Sequence, residues 1–261
     1  MTRYAFQDEF DGPAGSPPDP GRWRYDLGGG GWGHGELQTY TDSTANVFQD
    51  GQSHLVIRAT REGRPALGNG RPGPCYHSAR ITTRDTFAQQ GGCFEARIKV
   101  ISQPGLWPAF WLMGRDVGTA GWPRCGEVDV LGDFGDSTVH SAVHAPAGAA
   151  SVRSASVRSA SVRSASVRSA RRDLPSDTGW HTYRLDWSAD GMSFSRDGHR
   201  YLIVRRGFCG SLAWVYGPGE PHNGGMFLLL SLAVGGQVGG PPDSTRFPAD
   251  LMVDYVRVTQ P

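Results

Sequence analysis

Two acidic residues lie two positions apart in the segment Glu127–Asp133, which has the composition of a β-strand. Successive side chains of an extended strand point to opposite faces, so Glu127 and Asp129 share one face while Val128 and Val130 occupy the other. Two carboxyl groups on one surface can support nucleophilic or acid–base chemistry. Acidic residues also occur on the solvated faces of ordinary strands, so the flanking sequence has to decide between these interpretations.

Tryptophan is concentrated immediately before this segment. Trp107 and Trp111 lie in the run Gly105–Leu112, and Trp122 follows shortly afterwards. Aromatic side chains present large flat apolar surfaces, which suit the faces of sugar rings. Acids beside tryptophans therefore favour a carbohydrate site over a plain solvated strand.

Several blocks along the chain share a family resemblance. The clearest are Gly105–Leu112 and, after it, Gly121–Asp129. The others, in chain order, are Asp8–Gly12, Gly35–Thr41, Ser78–Thr83, Phe94–Lys99, His181–Tyr183 with Trp187, Leu232–Gly236 and Val253–Val258. Together they resemble the laminarinase-type members of glycoside hydrolase family 16. The resemblance implies an all-β, concanavalin-like jelly-roll sandwich of two antiparallel sheets with a concave substrate cleft. It also implies retaining, endo-acting hydrolysis of a β-glucan with β-1,3 or mixed β-1,3/1,4 linkages.

The resemblance implies roles for the acidic residues. In the family pattern E-x-D-x-x-E, the first Glu is the nucleophile, the Asp orients it and tunes its protonation, and a bulged strand returns the last Glu to the same face. These positions correspond to Glu127, Asp129 and Gly132. Glycine carries no proton, so the general acid/base is missing and we expect impaired turnover.

Three explanations of Gly132 are open at this point. The glycine can be an engineered substitution that disables a glycoside hydrolase, or it can mark a natural protein that binds β-glucan without turnover. Alternatively, Asp133 can supply the missing carboxyl group if the bulge is shifted by one residue. Transglycosylation, in which the same covalent intermediate passes to a sugar acceptor, is also compatible with the sequence.

The resemblance further implies a substrate-binding surface built from tryptophans. Trp107, Trp111 and Trp122 would stack on pyranose rings, and Trp32 in the glycine-rich segment 28–33 could close one end of the cleft. Each of these side chains could instead belong to the core.

Three polar residues match family positions that contact the sugar. Arg80 and Asn46 correspond to residues that hydrogen-bond sugar hydroxyls, and His144 corresponds to a histidine near the leaving group. The structural alternatives are a surface arginine for Arg80, a turn residue for Asn46 and a structural histidine for His144.

No cofactor is expected for catalysis, but a structural calcium ion is a possible addition. Many family members hold one with a carboxylate from the N-terminal block and one from the C-terminal strand, places that Glu9 and Asp254 occupy here. Oxygen ligands suit calcium, although two scattered acids also fit ordinary surface carboxylates.

Length and composition agree with one all-β domain spanning residues 1–261. The chain contains 37 glycines and 18 prolines among 261 residues, which favours many short strands joined by turns. Asp190-Gly191 and Asp197-Gly198 predict hairpin turns. The tandem Ala-Ser-Val-Arg-Ser copies in residues 150–170 predict a low-complexity loop, because they can bury little apolar surface.

Charge and apolar content bear on partners and location. The formal net charge of +1 indicates no global attraction to nucleic acid or to an anionic membrane, so we expect an uncharged β-glucan as the partner of a monomer. No apolar run is long enough to span a bilayer. Residues 1–6 show no signal-peptide pattern; the resemblance implies an extracellular enzyme, with a cytoplasmic location as the alternative. The four cysteines show no metal-like spacing, and buried free thiols are expected, with one disulfide as the alternative.

Overall fold

The structure is a computed structural model that describes residues 3–63, 74–146, 167–206 and 224–261. The strands in this part of the chain are β1 (Tyr4–Asp8), β2 (Arg24–Tyr25), β3 (Gln38–Tyr40), β4 (Val47–Gln49), β5 (Leu55–Gly63), β6 (Pro74–Ser78), β7 (Arg80–Thr82), β8 (Gly92–Lys99), β9 (Leu106–Gly114), β10 (Glu127–Asp133), β11 (Thr138–Pro146), β12 (Val167–Pro175), β13 (Trp180–Ser188), β14 (Gly191–Arg196), β15 (His199–Arg205), β16 (Met226–Val234) and β17 (Ala249–Thr259). Two short helices are α1 (Val117–Ala120) and α2 (Gly236–Gly239). Neither of these helices is long and apolar enough to cross a membrane.

The described strands form two sheets. The ten-stranded sheet runs β15-β14-β13-β8-β17-β5-β6-β3, with β1 beside β17 and β4 beside β5. The seven-stranded sheet runs β12-β11-β10-β9-β16-β7-β2. Its strand pairs are antiparallel, whereas β3 and β6 of the other sheet are parallel. The all-β jelly-roll sandwich predicted from the sequence is therefore confirmed.

The hydrophobic core lies between the two sheets, because alternate side chains of each strand point inward. Its members include Phe110, Leu112, Val128 and Val143 of the seven-stranded sheet and Phe94, Ile98, Leu185 and Val253 of the ten-stranded sheet. The residues between these core positions point to the outer faces. On the seven-stranded sheet, that outer face is the one on which the substrate cleft is expected.

Strand β16 is buried on both faces rather than one. Its inward residues join the main core, while Phe227 and Leu229 pack with Met113 and Cys125 in a second hydrophobic cluster. Val117 and Ala120 of α1 also contact this cluster. The chain between β9 and β10 is thereby held against one end of the outer face of the seven-stranded sheet.

Both predicted Asp-Gly hairpins are confirmed. Ser188 pairs with Gly191 across the turn between β13 and β14, and Arg196 pairs with His199 across the turn between β14 and β15. In the second turn, Asp197 and Gly198 have φ angles of 51° and 78°. Two successive positive φ values are typical of a type I′ turn, whose twist matches that of the paired strands.

The predicted loop at residues 150–170 lies mostly outside the described residues. Its last four residues, 167–170, are not loop but the beginning of β12, which pairs with β11 from Val167 to Pro175. Backbone hydrogen bonds to a neighbouring strand do not require apolar side chains, so a small polar sequence can form this edge strand.

The described cysteines are free thiols. Cys93 and Cys125 are buried, as predicted, and Cys75 is partly exposed. Burial raises the pKa of the Cys93 and Cys125 thiols to about 12. Cys209 lies outside the described residues.

Candidate active site

Strand β10 presents Glu127 and Asp129 on the outer face of the seven-stranded sheet. Val128 and Val130 are fully buried in the core on the other side of the strand. The two acidic side chains remain partly accessible, with 19% of Glu127 and 25% of Asp129 exposed. Alternation along the strand thus produces the shared face that the sequence predicts.

A β-bulge interrupts β10 after Asp129. The pairing with β11 shifts register between Asp129 and Gly132, and the pairing with β9 shifts between Asp129 and Leu131. Val130 and Leu131 both lie in the core, so the extra residue is accommodated there. Gly132 consequently returns to the outer face, where its partner on β11 is His140.

Position 132 has room for a side chain. A β-carbon there would lie 3.5 Å from Cε1 of Phe134, 3.5 Å from Nε1 of Trp107 and 3.7 Å from the carbonyl oxygen of His140, which are ordinary van der Waals distances. The φ angle of Gly132 lies outside the left-handed region that favours glycine. Neither crowding nor backbone strain requires a glycine here.

His144 on β11 completes a compact polar cluster with the two acids. Its Nε2 lies 3.0 Å from Oδ2 of Asp129 and 3.9 Å from Oε1 of Glu127. One nitrogen or oxygen atom from each of the three side chains lies within 4.8 Å of the others. His144 is the cross-strand partner of Glu127, which brings these residues together although they are far apart in the sequence.

Electrostatics in the cluster favours a proton on His144. Burial opposes a charge on His144, but the hydrogen bond and charge of Asp129 and the charge of Glu127 outweigh it and raise the His144 pKa to about 9. Burial and the adjacent Asp129 charge raise the pKa of Glu127 to about 7, while His144, a hydrogen bond with Trp122 and the charge of Arg80 act to lower it. Near neutral pH, His144 is therefore an imidazolium and Glu127 is partly ionised.

Asp133 does not join the cluster. Its side chain is fully buried, and Oδ1 accepts hydrogen bonds from Oγ of Ser102 and the backbone N–H of Gly135, both at 2.8 Å. Its partner on β11 is the core residue Val139. The structure thus turns Asp133 away from the cleft, contrary to the alternative in which it replaces the missing acid, because the bulge turns Gly132 outward instead.

Aromatic side chains border the cluster. Trp122, which is 47% exposed, lies beside His144 with the ring centroids 6.3 Å apart. Toward β7, the guanidinium of Arg80 lies between two tryptophans, 4.9 Å from the ring centroid of Trp32 and 4.6 Å from that of Trp111. The predicted catalytic and substrate-binding residues other than Asn46 and Asp133 therefore lie around one region of the outer face.

Asn46 is not part of the cleft. Its side chain is 4% exposed, and its amide accepts a hydrogen bond from Thr41 and donates to the carbonyl of Arg58 and to the hydroxyl of Thr60. Its backbone N–H closes a turn to the carbonyl of Ser43, just before β4 of the ten-stranded sheet. The predicted sugar contact is contradicted, because these partners hold the amide inside the turn.

The two predicted calcium ligands are paired with arginines. Both carboxylate oxygens of Glu9 accept hydrogen bonds from Arg257 at 2.7–2.8 Å, and Asp254 forms an ion pair with Arg97. Calcium needs several oxygen ligands directed at one point. Carboxylates that each face their own guanidinium do not fit such a site in this arrangement.

Two residues that the sequence analysis did not single out lie near the cluster. Glu36 is half-buried, accepts a hydrogen bond from Nε2 of Gln38 at 2.7 Å, and has its pKa raised by burial against the opposing charge of Arg80. His34 lies edge-on to Trp107, with the ring centroids 5.3 Å apart. Both follow the glycine-rich segment 28–33 directly, so their proximity to Trp32 was the available signal.

Known proteins are similar to this chain in sequence and fold. Residues 35–210 match the model of the glycosyl hydrolases family 16. A glucan endo-1,3-beta-glucosidase of Cryptopygus antarcticus is 35% identical over 250 residues, which cover 91% of this chain and 82% of that protein. A beta-glucanase of Rhodothermus marinus is 34% identical over 261 residues, which cover 97% of this chain and 83% of that protein.

The structural similarity is equally extensive. The laminarinase catalytic domain of Thermotoga maritima has a TM-score of 0.78 and 30% identity, covering 100% of this chain and 98% of that chain. The range matched by the family model includes β9, β10 and β11, so the similarity extends to the strands that carry the polar cluster. On this sequence and structural similarity, the chain belongs to family 16 of the glycosyl hydrolases.

Proposed function

We propose that this protein cleaves β-1,3-glucan, or mixed β-1,3/1,4-glucan, within the polymer and with retention of anomeric configuration, at a rate limited by Gly132. The observation that carries this proposal is the cluster of Glu127, Asp129 and His144 on a sheet face bordered by tryptophans. The names of a glucan endo-1,3-beta-glucosidase and a laminarinase among its relatives support the substrate class. We expect a monomer that acts outside the cell, where polymeric glucans occur.

Glu127 is the nucleophile in this mechanism. Its carboxylate attacks the anomeric carbon, the bond from that carbon to the glycosidic oxygen breaks, and the leaving oxygen takes up a proton. Water then attacks the same carbon, gives up a proton and releases the Glu127 carboxylate. Two inversions at one carbon retain the configuration.

Asp129 and His144 support the nucleophile. The imidazolium of His144 holds the Asp129 carboxylate in place through the 3.0 Å contact between Nε2 and Oδ2. The same positive charge lowers the pKa of Glu127, opposing burial and the charge of Asp129. Arg80 and the surrounding tryptophans would position the sugar rings across this cluster.

Gly132 removes the group that would protonate the leaving oxygen and later deprotonate water. General acid–base catalysis typically contributes about 10²- to 10⁴-fold, so cleavage of a poor leaving group should be slowed by a factor of that order. The aromatic surface does not depend on residue 132. A missing acid/base beside an intact aromatic surface favours a second candidate, a β-glucan-binding protein with little turnover. Transglycosylation to a sugar acceptor is a variant of the first candidate, the hydrolase.

Reducing-end release from laminarin and from mixed-linkage glucan tests the proposal. The native chain is compared with Gly132→Glu and with Glu127→Gln, which keeps the shape of the nucleophile without its charge. Activity that rises in Gly132→Glu and vanishes in Glu127→Gln supports a hydrolase limited at position 132. If neither the native chain nor Gly132→Glu releases reducing ends, and laminarin nevertheless binds tightly, the result supports the binding protein instead.

A further inference from the structure

The loop that carries His34 is fixed against the seven-stranded sheet. The backbone N–H of His34 donates to the carbonyl of Gly31 at 2.9 Å, and the carbonyl of His34 accepts from the N–H of Gln237 in α2 at 2.7 Å. Glu36 also forms an isolated β-bridge with Gly235, which follows β16 directly. The backbone of His34 is therefore held in a defined position beside α2 and the end of β16.

His34 and position 132 both lie beside the side chain of Trp107. The imidazole of His34 packs on Trp107 with the ring centroids 5.3 Å apart, and the indole Nε1 of Trp107 lies 3.5 Å from the place of a β-carbon at position 132. His34 is half-buried and close enough to Asp129 and His144 for their charges to affect its protonation. The imidazole of His34 and a side chain at position 132 would therefore have Trp107 as a common neighbour.

We propose that His34 supplies the acid and base function that Gly132 cannot. This inference rests on the proposed function, because it needs Glu127 as the nucleophile. In the first step, Glu127 bonds to the anomeric carbon, the glycosidic carbon–oxygen bond breaks, and the leaving oxygen takes the proton of the His34 imidazolium. In the second step, neutral His34 takes a proton from water as the water oxygen displaces Glu127.

The charged groups around His34 determine its pH dependence. Burial lowers the pKa of His34, Asp129 on β10 raises it, and His144 on β11 lowers it again. Glu36 is the nearest ionisable residue along its own loop. Since Glu127 ionises at about pH 7, protonated His34 and ionised Glu127 coexist only in a minor fraction of molecules. Laminarin hydrolysis should therefore be slow, with a bell-shaped pH profile.

A double-mutant cycle tests this role. His34→Gln should reduce kcat/KM for laminarin about 10²-fold in the native chain, because the acid is lost. In the Gly132→Glu background, the same substitution should reduce kcat/KM less than about threefold, because the new carboxyl group takes over as acid and base. His199→Gln is the control, because His199 is an exposed histidine at the start of β15, and it should leave kcat/KM unchanged in either background.

Two results of the cycle would overturn the proposal. A histidine that only binds sugar would cost the same factor in both backgrounds. A His34→Gln chain that matches the native chain on laminarin would show that His34 takes no part. Circular dichroism of each variant verifies that the fold is retained.

Azide separates failure of this inference from failure of the proposed function. The probe is a dinitrophenyl β-glycoside of laminaribiose, whose leaving group needs no acid. Azide, which needs no base, should accelerate turnover by His34→Gln and yield a β-glycosyl azide, while leaving the native chain unaffected. Equal acceleration of both chains would overturn the role of His34 alone. No turnover of the probe by either chain would overturn the Glu127 mechanism and this inference with it.

Discussion

The indole Nε1 of Trp107 lies 3.5 Å from the point at which a side chain of Gly132 would leave the backbone. Cε1 of Phe134 lies at the same distance, so a side chain at position 132 would begin beside both of these aromatic rings. Because Gly132 is on the face that carries Glu127, such a side chain would extend toward the polar cluster. The site is therefore complete in its backbone and lacks one functional group.

We expect Gly132→Glu to raise laminarin hydrolysis by about 10²- to 10⁴-fold, because it adds a proton donor where the backbone already allows one. Reducing-end assays at equal enzyme concentration measure the gain. Gly132→Ala is the matched control, since it adds the β-carbon without the acid and should give no gain. An equal gain in both variants would contradict the acid/base explanation.

The initial burst from an activated aryl β-glycoside should rise with pH through about 7 and then level off, because attack requires ionised Glu127 and no acid. In His144→Gln, the positive charge that lowers the pKa of Glu127 is lost, so this rise should move to higher pH. Stopped-flow detection of the released phenolate gives both profiles. A rise that stays in place, or moves to lower pH, would refute the coupling between these residues.

Protonation of His144 should stabilise the fold within a defined pH window. Its pKa of about 9 in the folded protein exceeds the 6.5 of an ordinary histidine, so the stabilisation is complete below about pH 6.5 and is lost as pH rises through about 9. The pKa of Glu127 is also raised in the folded protein, so its contribution to stability has the same sign. That contribution is lost in a lower pH window, between 4.5 and about 7. At pH 6.5, the free energy of unfolding of the native chain should exceed that of His144→Gln by on the order of 1–3 kcal/mol.

Thermal unfolding of both chains from pH 6.5 to 9.5 measures this effect. The difference in Tm should shrink across the range as the native chain loses the proton. A difference that stays constant would show that His144 acts through packing and not through its charge.

Trp122→Ala should weaken binding of a laminarin oligosaccharide about tenfold, which corresponds to roughly 1.4 kcal/mol of lost stacking. Calorimetry in the Glu127→Gln background measures binding without turnover. Because Trp122 is 47% exposed, its removal should leave Tm nearly unchanged. Trp180→Ala is the control, since Trp180 stacks on His54 on the ten-stranded sheet, and equal weakening by both substitutions would contradict a site at Trp122.

Much of the fold can be predicted from the sequence, because strand faces and tight turns depend on neighbours. Val128 and Val130 indicate the core side of β10. Asp197-Gly198 indicates the turn between β14 and β15 without reference to the rest of the chain. The start of β12 at Val167 was missed, because an edge strand is formed by backbone pairing with β11 and not by its own side-chain pattern.

The site was predictable where roles follow from position on one strand, and less so elsewhere. Asn46 matched a sugar-binding position but is held inside a turn by Thr41 and Arg58. His34 had no distinguishing pattern of its own. Its contact with Trp107 depends on how a glycine-rich loop docks against α2, which a local pattern does not describe.

The sequence by itself determined that Glu127 and Asp129 share a strand face, that the chain forms an all-β fold, and that the expected acid is a glycine. Only the tertiary structure decided that the bulge turns Gly132 outward and Asp133 inward, and that His144 meets both acids. Alternation of side chains is a local property of an extended chain, so it can be read from the sequence. Register shifts and loop docking arise from contacts between residues distant in the chain, so they appear only in the folded protein.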